Sequence, residues 1–348
     1  MSELTAADLS VGESRPGVPK KDPIIVADGV TRQFGGLKAV DVEHLEIPRN
    51  AITALIGPNG AGKTTLFNLL TGFDKPNEGT WSFDGTDLAG IPSFKAARSG
   101  MVRTFQLTKS LARLTVLENV MLGATDQRGE RFWASFIPGL WRKQENQNRE
   151  KAMELLARFK LDTKKDDFAA SLSGGQRKLL EMARALMSDP QLVMLDEPMA
   201  GVNPALTQSL LEHVLGLKED GMTVLFVEHD MHMVRHISDW VVVMAEGRIV
   251  AEDVPEDVMK NQAVIDAYLG AHHDTDLGSI TGQIDMEAAL QAEKAEPAPA
   301  ADAAAVESDA ADDPAESEAE ARPVDAVGGS GQEADPSPAD SSDEKEQS

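Results

Sequence analysis

Three short segments hold residue types suited to binding phosphate and activating water. The first is Gly57-Pro58-Asn59-Gly60-Ala61-Gly62-Lys63-Thr64, followed by Thr65. It has the spacing of a glycine-rich phosphate loop and lies between a β-like run (Ala51–Ile56) and a segment suited to a helix. Glycines let backbone N–H groups close around phosphate oxygens at a helix N-terminus, where the dipole favours negative charge. In such a loop Lys63 reaches the β- and γ-phosphates of a nucleotide and the Thr64 hydroxyl takes Mg²⁺.

The second segment, Leu192-Val193-Met194-Leu195-Asp196-Glu197, is an apolar run ending in two acids. A buried strand that delivers a carboxylate beside a phosphate loop is what a Mg²⁺ site needs. Asp196 is the expected metal carboxylate, directly or through water. Glu197 points elsewhere and is placed to polarise an attacking water as general base. A nucleotide and Mg²⁺ are therefore the expected ligands.

The third segment is Leu172-Ser173-Gly174-Gly175-Gln176, upstream of the acidic run. Many ATPases and GTPases have a phosphate loop and few have this pentapeptide. With it the sequence resembles the ABC ATPases, over about residues 23–270. The resemblance implies an α/β fold: a RecA-like core with the phosphate loop, an antiparallel β subdomain and a helical subdomain over about 112–190. It also implies that the nucleotide is ATP, and that the Ser173, Gly174, Gly175 and Gln176 segment grips the γ-phosphate of ATP held by a second subunit. Gln106, in Arg103-Thr104-Phe105-Gln106, matches the family's glutamine near Mg²⁺ and water. His229, in Val227-Glu228-His229-Asp230, matches its switch histidine, and Phe34 stands where an aromatic stacks on adenine. Gly201-Val202-Asn203-Pro204 occupies the loop where subunits meet; many members have Leu-Asp where this chain has Val202-Asn203.

Within the family the phrasing is similar to the branched-chain amino-acid (Liv-type) uptake ATPases. It is carried by Phe34-Gly35-Gly36-Leu37-Lys38-Ala39-Val40, Thr115-Val116-Leu117-Glu118-Asn119-Val120, Glu228-His229-Asp230-Met231 and Ala267-Tyr268-Leu269-Gly270. The resemblance implies partners: two membrane-spanning permease subunits, a second ATPase subunit and, indirectly, an extracytoplasmic solute-binding protein. It implies a place on the cytoplasmic face of the membrane. Urea-type importers and lipopolysaccharide-type exporters share several of these phrases. Soluble ABC proteins acting on ribosomes or DNA use the same engine, but usually carry two ATPase units or long coiled-coil arms.

The elements that must position these residues are legible in outline. Short β-branched runs at Ala51–Ile56, Gln191–Leu195, Thr223–Val227 and Trp240–Met244 alternate with helix-compatible stretches, which argues for a largely parallel sheet. From Ala112 to Ala170 there is almost no strand signal, so a mostly helical insertion is expected. Residues 1–22 are polar with scattered Gly and Pro and read as a loose leader. Glu3 and Asp8 stand where a secretory signal carries basic charge, and no apolar run is long enough to cross a bilayer.

Of the chain's 348 residues, 271–348 hold 21 of the 58 acidic side chains but only three of the 33 basic ones, and no aromatic. Most of the formal charge of −25 sits there. Without apolar surface to offset ordering entropy, that tail is expected to be disordered. The charge argues against nucleic acid as a partner. The absence of cysteine excludes disulfide and thiolate chemistry.

Overall fold

The computed structural model describes residues 5–104, 111–125, 127 and 138–270, all within the unit Met1–Ile284. Gln106 and the acidic tail lie outside the described residues. In chain order the elements begin with α1 (Ala6–Leu9), β1 (Pro23–Phe34), β2 (Leu37–Pro48), β3 (Ile52–Ile56), α2 (Lys63–Leu70), β4 (Glu78–Phe83) and β5 (Thr86–Asp87). They continue with α3 (Ser93–Arg98), β6 (Met101–Arg103), α4 (Val116–Met121), α5 (Pro138–Arg158), α6 (Gly174–Leu186), β7 (Leu192–Asp196) and α7 (Pro204–Glu219). The last are β8 (Thr223–Val227), α8 (Met231–Ile237), β9 (Trp240–Ala245), β10 (Arg248–Asp253), α9 (Pro255–Val258) and α10 (Gln262–Gly270).

The strands form two sheets. One has the order β10-β9-β3-β8-β7-β6, parallel from β9 to β6, with β10 closing the far edge as the antiparallel arm of a hairpin. Every residue of β3, β7 and β8 is buried, which is why these strands read as continuous apolar runs without alternation. The other sheet is antiparallel, in the order β2-β1-β4-β5, with β1 and β2 joined at Gly35-Gly36. This is the α/β fold with an antiparallel β layer that the resemblance implies. One core packs α4, α5, α6 and α7 against one face of the parallel sheet; a second lies between the other face, α2 and the antiparallel sheet.

The acidic ends of strands and the starts of helices follow from this order. β7 extends one residue beyond its apolar run because the Asp196 backbone still pairs with Val227. In the described part of 112–190 the regular elements are helices α4, α5 and α6 with two 3₁₀ turns.

The N-terminal segment is a correction. Instead of a loose leader, residues 5–22 pack onto the body, with Leu9, Val18 and Lys20 buried. Lys20 Nζ lies 2.7 Å from Glu252 Oε2, both side chains fully buried, and 4.5 Å from the centre of the Trp240 ring. Glu252 also accepts from the Gly17 and Val18 amides and from Trp240 Nε1. A buried carboxylate needs this many donors, and the polar leader supplies most of them. Burial pushes the Lys20 pKa down, opposed by the charge of Glu252.

Candidate functional site

The phosphate loop follows directly from β3. Gly57 adopts φ 147°, and a Cβ there would stand 2.0 Å from the Met244 carbonyl oxygen of β9. Gly62, at φ 99°, caps α2, and its Cβ would fall 2.3 Å from the Ala39 carbonyl oxygen of β2. Only glycine fits either position. The loop is thus clamped between two strands, and Gly247 N donates to Ala61 O at 3.0 Å from the β9–β10 turn.

This loop floors a cleft of about 710 Å³. Asn59, Gly60, Ala61, Gly62, Lys63, Thr64 and Thr65 line it, together with Phe34 and Glu197. Pro58 lies in the loop but does not line the cleft. Lys63 folds back on its own loop, donating to the carbonyls of Gly57 at 2.6 Å and Pro58 at 2.9 Å. Burial pushes its pKa down, and the charges of Glu197 and Asp196 oppose that shift. Phe34 is half exposed at the cleft wall, with the Arg32 guanidinium 4.6 Å from its ring centre and Arg32 tied to Asp74 at 2.8 Å.

Asp196 ends β7 with its side chain 8% exposed, and Arg103 Nη2 lies 2.7 Å from its Oδ2. Arg103, itself 5% exposed, also donates to Asn68 Oδ1 of α2 at 2.7 Å. Glu197 holds a left-handed backbone at φ 46°, its amide donating to Val227 O at 3.0 Å. Next to it in space is the buried Glu228, which accepts from the Met199 amide at 3.1 Å. Burial pushes the Glu228 pKa up, against the pull of the Met199 and His229 amides.

Three sets of expected site residues stand outside the cleft. Asp196 does not line it and borders instead, with Lys178 and Glu181, a small neighbouring cavity. His229 follows β8, but its side chain is 69% exposed and does not line the cleft. Ser173, Gly174, Gly175 and Gln176 open α6 as a capping box: Gln176 N donates to Ser173 Oγ, and Ser173 N donates to Gln176 Oε1. They do not line this chain's cleft either. Asn203, in the loop where the resemblance places the subunit contact, caps α7 by accepting from Leu206 N at 2.9 Å. Arg103, Lys178 and Glu228 were not singled out as site residues by the sequence. Arg103 and Glu228 carry a signal, a charge at the end of an apolar run, whereas Lys178 reads as one of several charges on an amphipathic helix.

The donors suit a nucleotide with a hard divalent cation. The loop amides and Lys63 are donors of the kind phosphate takes, while the Thr64 hydroxyl and the Asp196 carboxylate are oxygens of the kind a hard cation takes. Arg103 takes only Oδ2 of that carboxylate, so the pairing does not exhaust its capacity to accept.

Comparison with known proteins shows the family and the fold. Residues 40–200 match the family described as ABC transporter, and residues 248–274 match one described as branched-chain amino acid ATP-binding cassette transporter. The chain is 43% identical over 248 residues to a probable branched-chain amino acid transport ATP-binding protein LivG of Archaeoglobus fulgidus, covering 71% of this chain and 96% of that protein. It is 40% identical over 250 residues to the high-affinity branched-chain amino acid transport ATP-binding protein BraF of Pseudomonas aeruginosa, covering 71% and 98%. The crystal structure of a nucleotide-free ATP-binding cassette from an ABC transporter superposes with a TM-score of 0.62 at 37% identity, over 71% of this chain and 98% of that one.

Proposed function

Because the chain belongs to the ATP-binding subunits of ABC transporters, in the branched-chain amino-acid (Liv-type) family, we propose that its ATP hydrolysis energises uptake of branched-chain amino acids through two membrane-spanning permease subunits. The observation that carries this reading is the single cleft in which the phosphate loop, Lys63, Thr64 and Glu197 come together.

In this reading Lys63 exchanges its two carbonyl partners for the β- and γ-phosphates, and the loop amides hold the remaining oxygens. Phe34 offers a π-face to adenine. Thr64 and Asp196 would hold Mg²⁺, with Gln106 assigned to the same site by resemblance alone; a bound ion would supply neutralisation of charge on the phosphates. Glu197 takes the proton of the attacking water.

His229 reaches the γ-phosphate only if its exposed side chain turns toward the cleft. The start of α6 acts on the nucleotide of a second, similar subunit in a head-to-tail pair, which accounts for its distance from this chain's own cleft. Closure of that pair does work on the permeases to the extent that ATP prefers the closed state. A ~100-fold preference is worth about 2.7 kcal/mol per site. Among the described residues no helix is long and apolar enough to cross a membrane. Attachment to the cytoplasmic face of the membrane comes through the permease subunits.

The test is a trap. Glu197→Gln should bind MgATP as the parent does while hydrolysis falls by about 10²-fold or more, the usual scale of a lost general base. Purified with ATP from gently solubilised membranes, it should bring down two multi-span proteins and a second ATPase, which on reconstitution import leucine, isoleucine and valine. Recovery of ribosomes, or reconstituted vesicles that ignore these amino acids, would refute the coupling proposed.

A further inference from the structure

We propose that Lys178, in the second turn of α6, is a positioning residue that holds the loop beginning at Glu197 and ties it to the signature segment Ser173–Gln176. The inference rests on the reading of Glu197 as the general base, and extends it to the group that fixes that residue's backbone.

Lys178 Nζ donates to the carbonyl oxygens of Glu197 at 3.2 Å, Pro198 at 2.8 Å and Ala200 at 2.6 Å. An ammonium has three N–H donors and no acceptor, so these convergent carbonyls use its full capacity. The loop needs such a hold. Glu197 sits at φ 46°, a conformation that costs a non-glycine residue about 1–2 kcal/mol. It persists only where the surroundings fix it. Here the Glu197 amide is held by Val227 O and its carbonyl by Lys178, while the Met199 amide is held by Glu228 Oε1 from the segment that carries His229.

A second, independent contact joins the same two parts. A Cβ on Gly175 would fall 1.8 Å from Leu206 Cδ2 and 3.6 Å from Val202 Cγ1, so the first turn of α6 lies directly on the end of the loop and the start of α7. Side-chain packing at Gly175 and the ammonium at Lys178 therefore bind helix and loop as one piece. A shift at Ser173, produced by phosphate of a neighbouring subunit, cannot occur without displacing the carbonyls that set the direction of Glu197. Glu228, Glu181 and Glu197 are the charges that face Lys178 and favour its ammonium form, against a pKa that burial pushes down.

Lys178→Met and Lys178→Arg in the full chain, with Glu197→Gln in parallel, test this by steady-state hydrolysis, MgATP binding and thermal unfolding. Misplacing a catalytic group by about 1 Å costs on the order of 10²-fold. Lys178→Met should therefore lose about 10- to 100-fold in kcat, with KM and MgATP affinity within about twofold and the unfolding temperature close to the parent's. Lys178→Arg, which can still direct a cationic donor at the same carbonyls, should recover part of the loss. A kcat within about twofold of the parent for Lys178→Met, alongside a dead Glu197→Gln, overturns the inference alone. So does a loss that follows unfolding or weaker MgATP binding and is not relieved by arginine. Continued turnover by Glu197→Gln removes the base reading, and this inference with it.

Discussion

Removing Arg103 tests whether a nearly dry ion pair holds Asp196 in place. The pair has an N–O distance of 2.7 Å, with 5% and 8% of the side chains exposed. At an effective dielectric of about 20, unit charges about 4 Å apart attract by about 4 kcal/mol. Breaking one half of a buried pair commonly costs about 3–5 kcal/mol, because the remaining charge stays uncompensated. Arg103→Met should therefore lose about 3–5 kcal/mol, or about 6–20 °C for a domain of this size. Arg103 also donates to Asn68, so the single substitution mixes two effects. A cycle with Asp196→Asn separates them. The double variant should be more stable than the sum of the single losses implies, with a coupling of about 2 kcal/mol or more. Both single variants and the double are measured by urea unfolding without nucleotide. Additive losses, or an Arg103→Met cost under about 1 kcal/mol, would refute the claim that a desolvated ion pair orients Asp196.

Gly57→Ala places a methyl 2.0 Å from the backbone oxygen of Met244, which no rotamer change can relieve, so it should lose at least about 3 kcal/mol and most nucleotide binding. Gly174→Ala, with nothing within 4 Å of the new Cβ, should keep the parent's unfolding midpoint; a reversed ranking would sink the packing argument. Glu228 has a folded pKa above its unfolded one, so its contribution is full below the unfolded value and is lost as pH rises through the folded value. Glu228→Gln cannot titrate. The variant's unfolding temperature, relative to the parent's, should therefore rise as pH climbs above the ordinary glutamate value of about 4; a difference that stays flat would contradict the burial of the charge.

What the sequence revealed was local, and what it hid was long-range. The glycine loop and β8 are legible because Gly57, Gly62 and the run Thr223–Val227 state their requirement in consecutive residues. The signature segment is legible for the same reason, since its capping box spans Ser173 to Gln176. Arg103 and Asp196 are 93 positions apart and become partners only because β6 lies beside β7. Lys178 looks like a surface lysine of an amphipathic helix until three carbonyls of a distant loop are brought to it. The leader misled for a related reason. Its polar text signals a lack of core-forming side chains, but Glu252, 232 positions beyond Lys20, makes those polar groups the interior's missing donors.

The same contrast bears on how the cleft works. Strands β2 and β9 crowd the glycines of the phosphate loop and fix its backbone, and Lys63 donates to two of its carbonyls. Phosphate binding exchanges ammonium–carbonyl contacts of Lys63 for ammonium–phosphate contacts in which both partners are charged. Triphosphate also adds negative charge beside a lysine whose pKa burial has pushed down, so bound ATP should draw Lys63 further toward its ammonium form. A loop this rigid contributes affinity, but little difference between open and closed states. By this argument, the difference that drives transport must come from parts that are not yet in the cleft. In the proposed mechanism these are the exposed His229 and the start of α6 from a second subunit, which lies beside the loop of Glu197 through Lys178 and Gly175.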